Sequence, residues 1–293
     1  MKLQEILQKT TAFLQQKPFV DSPRLEAEML LAHALKIKRL EIYLQYDRPL
    51  QESELDLCRN LLKRRAVGEP MAYVIGQRDF FGLTFYVSPA VLIPRPETEY
   101  LVEEALQWLN KSFSTEEASR PIEVLDLGCG SGCIGLAILK NFANIKLTAL
   151  DISAEAIKIA HTNAKNFNLE DKIDWINDSA ENFLATLTEK KFDLVVANPP
   201  YIDKNDSLIA DDVKKYEPHL ALFAENNGFS CVQNWTQNVM PFLNDKSLLL
   251  MEIGYNQKDV SMDLLKSVRT FDNIKTIQDL SGYDRIIYGE KYG

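Results

Sequence analysis

Asn198-Pro199-Pro200-Tyr201 follows directly on Phe192-Asp193-Leu194-Val195-Val196-Ala197. The hexapeptide reads as a buried strand, and open α/β sheets bind ligands at the carboxyl ends of their strands. Two prolines fix the backbone, so the Asn198 side-chain oxygen and the Pro199 carbonyl can point together into a cleft. Two fixed acceptors match the two N–H bonds of a planar NH2 group. The Tyr201 ring can stack on that flat group or wall it in. The reaction this suits is transfer to an amide or amine nitrogen. An amide nitrogen shares its lone pair with its carbonyl, so alignment matters more than a base, and it can lower a barrier by about 7–11 kcal/mol at best. His33, His161 and His219 lie in none of these motifs, and no metal is expected.

Asp126-Leu127-Gly128-Cys129-Gly130-Ser131-Gly132 sits between another expected strand and a helix. Glycines there permit a tight turn and let a ligand approach the main chain. Gly130-x-Gly132-x-x-Gly135 also fits a dinucleotide fingerprint, so the glycines alone do not choose the cofactor. Asp151 ends the next strand, 19 residues past Gly132, where a carboxylate can accept both ribose hydroxyls of an adenosine. A helix cap is its structural alternative, with Ser153 competing for that role.

These groups need a sheet to hold them. Strands are expected at 123–127, 146–151, 172–177, 192–197, 247–253, 274–279 and 285–289, with helices between the first five. That alternation implies a mostly parallel sheet wrapped by helices, closed by an antiparallel hairpin around Gly282. Phe80 to Val87 reads as a hairpin turning near Gly82. Ile93 to Glu99 reads as a stiff connection into a helix reaching about Asn110, and Lys111 to Arg120 as a polar loop. Residues 1–67 read as helices throughout. Ser22-Pro23 starts one, with a stripe through Leu25, Met29, Ala32 and Lys36 that Leu30, Ala34 and Ile37 widen. Ser53, with Asp56 three residues on, starts another, which Gly68 and Pro70 stop. The expected division is a helical, substrate-recruiting 1–75, a hairpin linker 76–97 and a catalytic 98–293.

The 293 residues carry a formal net charge of -9. Residues 1–75 hold 12 Lys+Arg against 10 Asp+Glu, which leaves 21 against 32 for the remainder. That acidic balance argues against a grip on long nucleic acid. No apolar run reaches the roughly 18 residues of a membrane span. Cys58, Cys129, Cys133 and Cys231 form no paired framework or zinc spacing, so reduced thiols are expected. A cytoplasmic monomer that binds neither membrane nor nucleic acid is the expectation.

Asn-Pro-Pro-Tyr after the fourth strand, with Asp-Leu-Gly-x-Gly-x-Gly after the first, resembles the amino-methyltransferases of the Rossmann-like class. Arg65-x-x-Gly68-x-Pro70-x-x-Tyr73-x-x-Gly76, Leu92-Ile93-Pro94-Arg95-Pro96-Glu97-Thr98-Glu99, Tyr216-Glu217-Pro218-x-x-Ala221-Leu222 and Asp279-Leu280-Ser281-Gly282-x-Asp284-Arg285 narrow it. Together they resemble the PrmC (HemK) family of release factor glutamine N5-methyltransferases over nearly the whole chain. The resemblance implies a five-helix N-terminal domain, a hairpin and a seven-stranded Rossmann-like methyltransferase domain. It implies S-adenosylmethionine as cofactor and, as protein substrate, the glutamine of the Gly-Gly-Gln tripeptide in peptide-chain release factors. By position, Gly128, Cys129, Gly130, Ser131 and Gly132 would contact the cofactor and Asp151 its ribose. Asn198 would lie between cofactor and amide, and Asn198, Pro199, Pro200 and Tyr201 would hold the substrate. Ser179 stands after Asp178 where relatives can place an aromatic, which leaves the backbone there to face the adenine. Adenine in nucleic acid and glutamine in a ribosomal protein are alternative targets, and a non-catalytic cofactor-binding scaffold is the alternative class.

Overall fold

The computed structural model describes residues 1–113 and 120–293. Of the polar segment expected as a loop, 114–119 lie outside the described residues. The chain divides into two compact units: Met1–Gln77 with Asp211–Tyr216, and Arg78–Ala210 with Glu217–Gly293.

The first unit holds helices α1 (Leu3–Leu14), α2 (Pro23–Leu35), α3 (Glu41–Leu44), α4 (Glu52–Ala66) and α5 (Met71–Ile75). Leu3, Leu7 and Leu14 of α1 recur at helical spacing and are fully buried. Three local details differ from expectation. In α2 the buried face runs through Ala27, Leu30, Leu31, Ala32 and Ala34, so Leu30, Ala32 and Ala34 of the expected stripe are buried, while Leu25 is 40% exposed. The helix is apolar around most of its girth, so periodicity could not choose a face. A carboxylate also turns inward: buried Glu28 accepts hydrogen bonds from Arg24 Nε at 2.7 Å and Tyr43 OH at 2.5 Å. Pro23 does occupy the first turn, but Ser22 makes no side-chain cap bond. Helix α4 starts before Ser53, where the Gln51 N–H donates to Glu54 at 2.9 Å, and Asp56 instead pairs with Arg59.

The second unit opens with strands β1 (Gln77–Phe80, whose first residue falls in the first unit) and β2 (Leu83–Tyr86). Phe81 and Gly82, at φ 48° and 73°, form the tight left-handed turn between them. Helix α6 (Glu99–Ser112) follows. Next come β3 (Ile122–Leu127), α7 (Cys133–Asn141), β4 (Ile145–Asp151), α8 (Ala154–Phe167), β5 (Ile173–Asn177), α9 (Ala180–Thr186) and β6 (Phe192–Ala197). After β6 come β7 (Ile202–Asp203), α10 (Asp211–Tyr216, grouped with the first unit), α11 (His219–Leu222) and β8 (Phe223–Ala224). The chain ends in α12 (Ser230–Val239), β9 (Leu243–Glu252), α13 (Lys258–Val268), β10 (Asn273–Gln278) and β11 (Asp284–Tyr292).

Seven strands form one sheet in the order β10-β11-β9-β6-β3-β4-β5, with β11 antiparallel to both neighbours and the other pairs parallel. Strand β6 is buried along its whole length, as a central parallel strand covered on both faces must be. The two-residue parallel pair of β7 with β8 was not foreseen, since so short a strand has no periodicity to read.

Register places the chemistry. Leu127 of β3 lies opposite Ala197 of β6, and Ala197 opposite Met251 of β9. The next residue on each strand is Gly128, Asn198 and Glu252, so the three stand in one row at the carboxyl edge of adjacent strands.

Candidate active site

The glycine turn after β3 is shaped by backbone that other residues resist. Gly128 has φ 70°, and a Cβ there would lie 2.9 Å from the Trp235 ring. Gly130, at φ 56°, would direct a Cβ into open space, so its main chain is bare toward the neighbouring cavity. The loop is fastened from β4. The Cys129 N–H donates to the Leu150 carbonyl at 2.9 Å, and the Gly130 N–H to Asp151 Oδ2 at 2.8 Å. Asp151 Oδ1 accepts the Ser153 N–H, while Ser153 itself caps α8 by accepting from Ala156. Asp151 thus ties two turns together rather than capping, and burial raises its pKa.

Beneath the loop, Asp126 is 1% exposed. Its Oδ2 accepts the Gly135 N–H at 3.0 Å and its Oδ1 has no hydrogen-bond partner among the described residues. Burial pushes its pKa up to about 7. A Cβ on Gly135 would approach Asp126 Oδ2 to 2.7 Å, so glycine lets α7 close over this carboxyl.

A cavity of about 270 Å³ opens beside the loop. Gly128, Cys129, Gly130, Ser131, Asp151, Ser179, Asn198 and Pro200 all line it. Three of the expected residues are not among those lining it. Gly132 starts α7, Pro199 is buried, and Tyr201 packs its ring against the core of the sheet. Ser179 caps α9, its Oγ accepting the Asn182 N–H at 3.1 Å. Cys133 also lines the cavity, but burial pushes its thiol to about 12, so it is no nucleophile.

Behind Asn198 lies a hydrogen-bonded chain. Asn198 Nδ2 donates to Thr98 Oγ1 at 3.3 Å, Thr98 Oγ1 donates to Glu252 Oε2 at 2.6 Å, and Tyr201 OH donates to Glu252 Oε1 at 2.9 Å. Thr98 and Glu252 are each 1% exposed. Burial raises the Glu252 pKa, opposed by the two hydroxyl bonds and by the charge of Arg285.

Two separate segments roof the cavity: Val91, Leu92 and Pro94 from the connection before α6, and Pro218, Leu220 and Ala221 around α11. Buried Glu217 joins them, accepting from the Ile93 N–H at 3.1 Å and from Arg95 at 2.6 Å. Sequence reasoning assigned no role to Thr98, Glu217, Glu252 or Trp235. The first two lie within motifs already quoted, which was the available signal; Glu252 and Trp235 lie in none.

Residues 102–221 match the family model described as a methyltransferase small domain. A 16S rRNA N2 G1207 methyltransferase of Thermus thermophilus, solved with AdoMet and guanosine, shares this fold. Its TM-score is 0.50 at 18% identity, over 73% of this chain and 49% of that one. Residues 5–76 match the PrmC N-terminal domain. A release factor glutamine methyltransferase of Koribacter versatilis is 37% identical, covering 92% of each chain. The one from Chlorobaculum tepidum is 36% identical over 96% of this chain and 94% of its own. The chain belongs to the release factor glutamine methyltransferase family.

Proposed function

We infer that this chain transfers a methyl group from S-adenosylmethionine to the side-chain nitrogen of the glutamine in the Gly-Gly-Gln tripeptide of peptide-chain release factors. The observation that carries this is the placement of the Asn198 carboxamide in the same cavity as the glycine turn and Asp151. The residues present fit the cofactor. The open main chain at Gly130 admits close approach, and the Asp151 oxygens keep lone pairs for ribose hydroxyls. Ile152, Ala180 and Cys231 supply apolar wall.

When bound, the cofactor supplies a methyl carbon already activated by its sulfonium sulfur. The chain's own task is the acceptor. Asn198 Oδ1 would take an N–H bond of the glutamine amide, drawing electron density onto nitrogen and aiming it, while Pro199, buried and not among the residues lining the cavity, fixes the backbone that carries Asn198. The oriented amide nitrogen would take that methyl through its lone pair and then lose its extra proton to water. No histidine lines the cavity, and an amide nitrogen made cationic needs no dedicated base. Tyr201 acts from behind, through Glu252, rather than as a wall of the cavity.

The first unit would recruit the release factor, since a glutamine flanked by glycines offers the cleft little to recognise. Among the described residues no helix is long and apolar enough to cross a membrane. A cytoplasmic monomer acting on protein, not nucleic acid, is the setting we propose. Incubation with purified release factor and cofactor, followed by mass spectrometry of the Gly-Gly-Gln peptide, tests the reading. One methyl on the glutamine is expected; an unmodified glutamine with active-cofactor controls overturns it.

A further inference from the structure

We propose that Thr98 is a positioning residue that sets which way the Asn198 carboxamide faces, with Glu252 dictating the direction of the bond. This rests on the reading that Asn198 holds the acceptor amide. A carboxamide has two ends of nearly equal shape and opposite chemistry, related by a half-turn about Cβ–Cγ. Only one of the two faces is useful. With Oδ1 toward the cavity, Asn198 accepts from a substrate NH2 group; after the half-turn, its own NH2 would meet the substrate's NH2, donor against donor.

Water can both donate and accept, so a cavity open to it does not by itself choose between these. The choice comes from Thr98, which lines the same cavity and is bonded to Asn198. Each oxygen of the Glu252 carboxylate faces a hydroxyl, Thr98 at 2.6 Å and Tyr201 at 2.9 Å. Two hydroxyl bonds and the charge of Arg285 favour the ionised form of Glu252, which only accepts, so the Thr98 proton is drawn toward it. The hydroxyl then presents lone pairs, not a proton, to Asn198 at 3.3 Å, and the side-chain atom that satisfies them is Nδ2. Oδ1 is left for the cavity that Asn198 lines. The chain of donors runs Asn198 to Thr98 to Glu252, and turning the Asn198 carboxamide round would leave an acceptor facing an acceptor beside Thr98 and Glu252, each 1% exposed.

The arrangement also gives a chemical task to the Ile-Pro-Arg-Pro-Glu-Thr-Glu segment. Pro96 to Thr98 form one turn of 3-10 helix immediately before α6, which carries Thr98 to the end of β9 and to Asn198, 100 residues on in the chain. Valine at this position keeps the shape of threonine and removes the hydroxyl; serine keeps the hydroxyl and removes the methyl.

The test compares Thr98→Val, Thr98→Ser and Asn198→Ala on whole release factor, with cofactor affinity by calorimetry and folding by circular dichroism. For Thr98→Val, kcat should fall at least about ten-fold while cofactor Kd and the release-factor KM stay within about three-fold, the split expected of lost orientation rather than lost binding. Thr98→Ser should return kcat to within about three-fold of the parent. A Thr98→Val enzyme with parental kcat overturns the proposal, as does loss of cofactor affinity in parallel with kcat. If Thr98→Val does not fold, Thr98→Ala is read the same way. Failure of both to fold overturns the proposal, because the hydroxyl then serves the fold. Should Asn198→Ala itself retain turnover, the reading of Asn198 fails first, whatever Thr98 does.

Discussion

Glu217 accepts a 2.6 Å hydrogen bond from Arg95, 122 residues earlier in the chain, and so couples the two segments that roof the cavity. The Ile93 N–H donates to the same carboxylate. Glu217→Ala would strip acceptors from a buried amide and from a guanidinium that is only a third exposed, at a cost of about 2–3 kcal/mol. A lower melting temperature and a weaker cofactor affinity are expected together. Calorimetry that finds affinity unchanged would separate the roof from the binding site.

Asn198→Ala should leave cofactor affinity nearly intact and slow methyl transfer by at least about 100-fold, roughly 2.7 kcal/mol on the barrier. Single-turnover kinetics with release factor give the comparison. Near-parental turnover would remove Asn198 from the chemistry.

Asp151→Ala should weaken S-adenosylmethionine binding, each lost hydrogen bond to the carboxylate being worth roughly 1.5–3 kcal/mol. The Gly130 and Ser153 N–H groups lose their acceptor too, so the asparagine variant, with one carbonyl oxygen for two donors, should not recover full affinity. Titration calorimetry on both variants decides it; parental affinity in either contradicts the ribose role.

Asp126 predicts a pH signature. Its folded pKa of about 7 stands above the 3.8 of a free carboxyl because burial penalises the charge. The folded chain therefore keeps a proton that the unfolded chain gives up. That stabilisation is whole below 3.8 and is lost as pH rises through about 7. Asp126→Asn cannot titrate, so the advantage of the parent over this variant should shrink from about pH 5 to about pH 8. Melting curves of both proteins without cofactor provide the comparison, and a constant difference would contradict the shift.

Removal of residues 1–77 should leave a second unit that binds cofactor but methylates release factor with much reduced kcat/KM. Residues 211–216 group with the deleted helices, and Tyr216 OH donates to the Val67 carbonyl at 2.8 Å, so that segment would lose its packing. Undiminished kcat/KM from residues 78–293 would end the recruiting role.

Elements that announce themselves locally were legible in the sequence. Val195 and Val196 lie in an unbroken apolar strand, Gly128 to Gly132 punctuate a strand-to-helix turn, and Phe81-Gly82 turns a hairpin. Asn198 and Asp151 could be picked out because each sits where such a strand ends. What could not be read were pairings between distant segments. Thr98 meets Glu252 across 154 residues, and neither side chain carries a signal of its own. Buried Glu28 could not be read from α2 for the same reason: its partners Arg39 and Tyr43 lie beyond that helix. The Tyr201 hydroxyl donates to a buried carboxylate that no local pattern reveals, which sets its ring away from the cavity wall that the motif suggests.

The row of Gly128, Asn198 and Glu252 across three neighbouring strands has a kinetic consequence. Strand β6 brings its carboxyl end beside β3 and β9 only when pairings about 70 and 54 residues apart in the chain have closed in register. Contacts of such separation form late, after the entropy of long loops has been overcome. During refolding from denaturant, helical signal should therefore return well before any turnover. No partially paired intermediate would carry a fraction of the activity, because a slip of one residue in β6 turns Asn198 to the opposite face of the sheet.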